Sequence, residues 1–290
     1  MLPSSSNFFQ TKRSLSEIKA ELLPAYFKIW AETKAVEELV LADLIAGNGL
    51  EANGENATAL QIAETFREDE NATENDPKTL ELFLSDASST NLEKLKQHLV
   101  IPEEEGTRLP ENIHFLNEPG TRETLSELLQ KVPGLLVADP FGYALAAEIA
   151  AETLENPSAD LVLLFDYKRL EKTFLAEIPI VFIARIFGAD LPAVKAKFRL
   201  QKSAKLREQF LTEQLEKAFR DMEFYPLTFR MNTPGKLAGS SYLLLAGKTI
   251  ATYLAAKEWL QTYSELQEDG VPLFGANLNY QPAAIPGFSE

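Results

Sequence analysis

Leu39-Val-Leu-Ala-Asp43-Leu-Ile-Ala-Gly47-Asn-Gly49-Leu50 is the stretch on which the fold turns. Leu39 to Ala42 is a continuous apolar run, the pattern of a parallel strand buried on both faces. It ends on Asp43, and two glycines follow one residue apart. Open α/β sheets bind ligands at the carboxyl ends of their strands, so this turn is the first candidate site. Gly47 and Gly49 lack a Cβ and can take positive φ, which lets a ligand approach the backbone. Asp43 offers an acceptor for an ammonium or hydroxyl group. A plain structural turn accounts for the same residues, and a lone GxG does not separate the two.

More units of the same kind follow. Leu80 to Asp86 is a strand ending on an acid. Asp86 is the candidate for holding a ribose, whose two hydroxyls a carboxylate can accept; capping the next helix is the alternative. Ile113 to Leu116 ends on Asn117, Leu135 to Ala138 runs into Asp139-Pro140-Phe141-Gly142, and Leu161 to Phe165 ends on Asp166. Helical spacing predicts helices over Leu15 to Thr33 behind a Ser14–Glu17 capping box, near Ala59 to Ala63, over Asn91 to Leu99 and over Thr121 to Lys131. Arg169 to Glu223 is helical throughout, divided by Pro179, Gly188 and Pro192, and reads as an inserted cap. Tyr225 to Arg230 and Tyr242 to Ala246, joined by a short glycine-containing turn, can pair only antiparallel. A helix over Thr249 to Tyr263 closes the pattern. The implied division is an N-terminal tail and helix (1–34), a cofactor-binding core (35–168), a helical cap (169–223), a hairpin and helix completing the core (224–264), and an irregular tail (265–290).

Composition narrows the chemistry. The chain has 290 residues and no cysteine, which removes disulfides, thiolate nucleophiles and iron–sulfur clusters. Its two histidines, His98 and His114, exclude a histidine-rich metal site, and no metal site is expected. His98 reads as a surface residue and His114 as a packed or edge side chain. A net charge of −15 argues against general polyanion binding, which depends on neutralising phosphates. Base is nonetheless concentrated in 195–207, where Lys195, Arg199 and Lys202 at i, i+4, i+7 would share a helix face. That face is either solvated surface or a contact for a phosphate-bearing substrate, a nucleic acid or an acidic protein partner. No apolar run is long enough to span a membrane, and Met1 to Ser6 lack a signal-peptide pattern, so a cytoplasmic location is expected.

Five βα units and a closing antiparallel hairpin resemble the class I S-adenosylmethionine-dependent methyltransferases. Gln10-Thr11-Lys12 ahead of a helix with Tyr26 and Trp30, then Asp43 to Gly49, Asp139 to Gly142 and Ser241 to Leu245, are similar in order to the three-Cys-motif partner (TcmP) family. The likeness covers roughly Phe8 to Tyr263. It implies a Rossmann-like, mostly parallel seven-stranded sheet with an antiparallel last strand and a helical insertion, and S-adenosylmethionine as cofactor. Asp43, Gly47 and Gly49 would line the methionine end, Asp86 would hold the ribose, and Asn117 would lie near the adenine. Asp139-Pro140-Phe141 is similar to the Asp-Pro-Pro-Tyr motif of amino-group methyltransferases, with Asp139 accepting from a planar amine and Phe141 stacking on its ring. The chain departs from the family at Asn56 to Ala59, at Phe165-Asp166-Tyr167 and at Gly142. The implied function is methyl transfer to an amino group of a nucleobase or similar planar acceptor. A catalytically inactive binding or regulatory protein on the same scaffold is the alternative. A nicotinamide-dependent oxidoreductase is disfavoured because the third glycine of GxGxxG is missing.

Overall fold

The computed structural model describes residues 15–49, 58–59, 61–63, 79–99, 101–103, 106–108, 112–232, 240–264 and 275–276. The Ser14–Glu17 capping box, Gln10 to Lys12, Asn56-Ala57 and the turn at Gly235 and Gly239 lie wholly or partly outside the residues whose side chains are described.

The chain opens with α1 (Leu15–Glu32) and β1 (Glu38–Asp43). Then come β2 (Thr79–Leu84), α2 (Ser89–Leu99), a small hairpin of β3 (Ile101–Glu103) and β4 (Gly106–Arg108), β5 (Ile113–Phe115), α3 (Thr121–Leu128), β6 (Gly134–Ala138), α4 (Ala144–Thr153) and β7 (Ala159–Asp166). Four helices follow: α5 (Tyr167–Leu175), α6 (Val181–Phe187), α7 (Leu191–Arg199) and α8 (Ala204–Asp221). The chain ends with β8 (Tyr225–Asn232), β9 (Ser240–Gly247), α9 (Ile250–Gln261) and a two-residue strand, β10 (Gly275–Ala276).

The main sheet runs β10-β8-β9-β7-β6-β1-β2-β5. Only β9 runs against its neighbours, pairing antiparallel with both β7 and β8. Setting aside the short edge strand β10, this is the expected seven-stranded, Rossmann-like sheet of the class I methyltransferase fold. The chain builds outward from β1 to β2 and β5, then returns to β6 and β7 on the other side. The reversal between β1 and β6 is a topological switch point, where a crevice opens at the strand ends.

Every residue of β6 is buried, as are Leu39 to Asp43 of β1. Alternation divides them between two cores. Leu39, Leu41, Leu135 and Val137 face a layer with α1, α2 and α9; Val40, Ala42, Leu136 and Ala138 face α3, α4 and the cap helices. The aromatic stripe of α1 packs on the sheet: Trp30 is fully buried and Tyr26 meets Trp259 of α9 at 5.2 Å. Three connections run otherwise than expected. The β3–β4 hairpin and β10 were not foreseen, and the cap's basic stretch is two helices, because α7 stops at Arg199 and Ser203 caps α8 through the Leu206 amide at 3.2 Å.

Asp160, a buried acid that no sequence motif marks, joins the end of α1 to the turn between β9 and α9. It accepts from Trp30 Nε1 at 2.7 Å, Lys34 Nζ at 2.6 Å and the Lys248 amide at 2.6 Å. Removing one member of such a cluster leaves charge and donors stranded in a low dielectric. Asp160→Ala is expected to cost about 3–5 kcal/mol in urea denaturation. Asp160→Asn, which keeps an acceptor for Trp30, is expected to cost less. A loss below about 1 kcal/mol for the alanine variant, within the range of an ordinary exposed pair, would overturn this role.

Candidate active site

The site begins where β1 ends. Asp43 is fully buried, and its own chain occupies it: Lys19 of α1 donates to Oδ2 at 2.6 Å and the Ile45 amide to Oδ1 at 3.0 Å. Lys19 also donates to the Ile45 carbonyl at 2.6 Å. The ammonium that Asp43 was expected to accept is thus that of Lys19, and the pair fixes the turn from both sides. The two glycines beyond it differ. Gly47 has φ +74°, and a Cβ built there would meet nothing within 4 Å among the described residues. Gly49 has φ +92°, but its Cβ would lie 2.8 Å from His98 Cδ2 and 3.3 Å from the Leu95 backbone of α2. Gly47 therefore borders open space, whereas Gly49 is small so that α2 can pack. Ligand approach explains the first and not the second.

Asp86 follows β2 and closes onto the same turn. Its Oδ2 accepts from the Gly47 amide at 3.0 Å, and its Oδ1 from Ser88 N at 2.9 Å and Asn91 Nδ2 at 3.0 Å. A carboxylate has about four acceptor places, so one remains for a further hydroxyl without rearrangement. Asn117, after β5, is exposed.

Asp139 follows β6 across the switch point. Its Oδ1 accepts from the Phe141 amide at 3.1 Å, and its Oδ2 from Arg169 Nη1 on the first turn of α5. Asp166 caps that helix through the amides of Lys168 and Arg169, at 2.8 and 3.2 Å, and so aims Arg169 back at Asp139. Burial raises the Asp139 pKa from its ordinary value, and Arg169 and the Phe141 amide only partly offset the rise. Phe141 is 5% exposed and meets Phe165 at 5.1 Å and Phe182 at 5.8 Å, both edge-on. It belongs to the core beneath the cap and only borders the neighbouring cavity, so it is chiefly a packing residue.

An aromatic one residue further on was missed. Tyr143 donates to or accepts from Ser85 Oγ at 2.6 Å, which ties the β6 turn to the end of β2. Burial, and then the nearby charges of Asp86 and Asp43, raise its pKa, while the Ser85 bond opposes the rise. Tyr143 also lines a cavity of about 490 Å³ with Pro140, Phe141, Ala147, Ile180 and Val181. It stands between this cavity and the Asp43–Gly47 turn. The signal was an aromatic displaced by one place from the position that Gly142 occupies.

The cap's basic residues do not act as one face. Lys195 Nζ donates to the Ala176 carbonyl at 2.7 Å, which tacks α7 to the end of α5. Arg199 is exposed at the last position of α7, and Lys202 is exposed in the turn beyond it. Lys195 is thus a structural tie rather than a free phosphate ligand. His114 pairs with Glu81 at 2.7 Å and stacks on Phe83, the edge position expected of it.

No family model matches this chain, and no curated protein matches it by sequence. Among solved structures it is similar to magnesium protoporphyrin IX methyltransferase (ChlM) from Synechocystis PCC 6803 with bound SAH, at TM-score 0.38 and 12% identity over 80% of this chain and 83% of that one. It is also similar to a putative O-methyltransferase from Klebsiella pneumoniae (TM-score 0.39, 10% identity, 85% and 90% covered). A third is protein LPL1258 from Legionella pneumophila (TM-score 0.41, 12% identity, 86% and 92% covered). These overlaps are too loose to carry roles from residue to residue, and the fold assignment rests on the strand order itself. Among the described residues no helix is long and apolar enough to cross a membrane.

The two glycines should respond differently to valine. Both sit at positive φ, where a non-glycine residue costs about 1–2 kcal/mol. Gly49→Val is expected to lose clearly more than that in thermal melts, through the clash with α2. Gly47→Val is expected to stay near the backbone cost. Equal losses would remove the distinction.

Proposed function

We propose that this protein is an S-adenosylmethionine-dependent methyltransferase of the class I type. The observation that carries the reading is the open space left at Gly47 by the described residues, at a sheet switch point, facing a carboxylate with an acceptor place left. Gly47 and Asp86 would hold the cofactor's amino-acid and ribose parts, with Asn117 near the adenine. Asp43 and Gly49 would support that turn without touching the cofactor. The cofactor supplies an electrophilic methyl group when bound. The chain's part is to hold the acceptor in line with it, shielded from water, in the cavity next to Asp139-Pro140-Phe141, with Tyr143 between the two compartments. Orientation of this kind accounts for much of the rate in a two-substrate reaction.

The finer parts of the reading are membership of the three-Cys-motif partner family, a cytoplasmic setting, a 169–223 cap over a 35–168 core, and a planar amino-group acceptor. For such an acceptor to reach Asp139, Arg169 must swing away. A partner contact through 195–207 would rest on exposed Lys197, Arg199, Lys202 and Lys205. One observation favours the second reading, an inactive binding protein: Asp43, Asp86 and Asp139 are all engaged by their own chain.

Calorimetric titration with S-adenosylhomocysteine tests the cofactor. The expected dissociation constant is micromolar, about −8 kcal/mol. Asp86→Ala is expected to weaken it about tenfold or more and to lose about 1–3 kcal/mol of stability, because the Gly47 and Ser88 amides and Asn91 Nδ2 lose their acceptor. Saturable NAD binding with none of S-adenosylhomocysteine would overturn the reading. Micromolar binding with no methyl transfer to nucleic acid, protein or aromatic acids would favour the inactive alternative.

A further inference from the structure

The cavity at the β6 turn has walls of one character and a rim of another. Pro140, Phe141, Ala144, Ala147, Ile180 and Val181 make it largely apolar. Among the described residues its one lining carboxylate is Glu148, paired with Arg122 at 3.0 Å. The apolar surface continues outward onto the link between α5 and α6, where Leu175 is 39%, Val181 46% and Ile178 85% exposed. A side chain as apolar as Ile178, left almost wholly in water beside a cavity, can gain only when something apolar covers it.

Arg169 stands at the edge of this surface. Its Nη1 would lie 3.2 Å from a Cβ on Gly142, a lining residue, so the guanidinium occupies room that any side chain at 142 would take. Buried Asp139 anchors it through Nη1, Asp166 orients its helix, and half of the side chain remains exposed. The guanidinium has five donors in a planar fork. Asp139 takes one of them, and the fork's other edge is the part that a bidentate oxyanion fits best. An apolar occupant without an acceptor at that point would cover those donors and strand them, at a cost of about 1–3 kcal/mol.

We propose that the molecule bound in this cavity is a small, mostly apolar carboxylic acid whose carboxylate docks on Arg169, the ring or chain lying along Pro140, Ala147, Ile180 and Val181. The inference deepens the methyltransferase reading by naming the acceptor class. In it, Asp139 is a positioning residue that holds the arginine rather than a group that receives the acceptor. The carboxylate anchors the acceptor at the rim, and the apolar body points inward toward Tyr143 and the cofactor side.

The test compares 2-naphthoate with 2-naphthamide, which match in size and differ in charge. Calorimetry on the full chain, with and without saturating S-adenosylhomocysteine, is expected to give at least tenfold tighter binding of the acid. Arg169→Gln is expected to abolish that preference while leaving naphthamide and S-adenosylhomocysteine affinities unchanged. Because Arg169→Gln leaves Asp139 without its partner, the double variant Asp139→Asn/Arg169→Gln, which removes both charges, is measured beside it and is expected to behave alike. Equal affinity of the parent for the two probes, binding of neither, or a preference that survives in both variants would overturn the proposal. The cofactor reading fails separately. Acid-selective, Arg169-dependent binding without S-adenosylhomocysteine binding would support the anionic site and refute the methyltransferase assignment.

Discussion

The buried pair between Lys19 and Asp43 sets the geometry on which the rest depends. Asp43 is fully buried and Lys19 nearly so, and each finds its partner inside the protein. The pair fastens α1 to the carboxyl end of β1 and pins Ile45 through both its amide and its carbonyl. Only with Ile45 so held can the chain turn at Gly47 and bring that amide to Asp86. A hydrophobic pair could fill the same volume at less desolvation cost. It would not specify the direction in which the backbone leaves the sheet.

The same device recurs along the edge. Asp86 is held by the Gly47 amide, Ser88 and Asn91, Asp139 by Arg169 and the Phe141 amide, and Asp166 by two amides of the helix it caps. Acids at the ends of parallel strands sit where the next turn presents unpaired N–H groups, and they neutralise those turns first. Their availability to a ligand is then a question of unused acceptor places and exposed partners. By that measure Asp43 has little to offer, Asp86 has a place left, and Asp139 acts through Arg169.

The strands were legible because burial on both faces writes a continuous apolar run, and each run closes on a polar residue or a turn. Leu39 to Asp43, Leu135 to Asp139 and Leu161 to Asp166 all carry that signature. The β3–β4 hairpin was not legible, since Ile101-Pro-Glu103 and Gly106-Thr-Arg108 carry a proline and a glycine and no apolar run, whereas the equally short β5 reads Ile-His-Phe. Site residues were harder for a different reason. Whether Phe141 meets a ligand or a core depends on Phe182, some forty residues later and in the cap. Whether Gly49 serves a ligand or a helix depends on Leu95 and His98. Lys195 and Lys202 looked alike in spacing until the end of α7 at Arg199 separated them. Local pattern names the elements, and contacts between distant elements assign the roles.

Arg169 shows how such a contact can change the chemistry of a motif without altering its residues. Taken alone, Asp139-Pro140-Phe141-Gly142 presents an acceptor and an aromatic face. The first turn of α5 supplies a cation to the acceptor, and Phe165 of β7 and Phe182 of the cap pack edge-on with the aromatic ring in the core. What the crevice then offers is a donor fork at the rim of an apolar cavity, and its preference shifts from an amine to an anion. Gly142 is part of that change. A side chain there would press on both Asp139 and Arg169 at about 3 Å, so the departure from the aromatic motif and the presence of the ion pair are one structural fact.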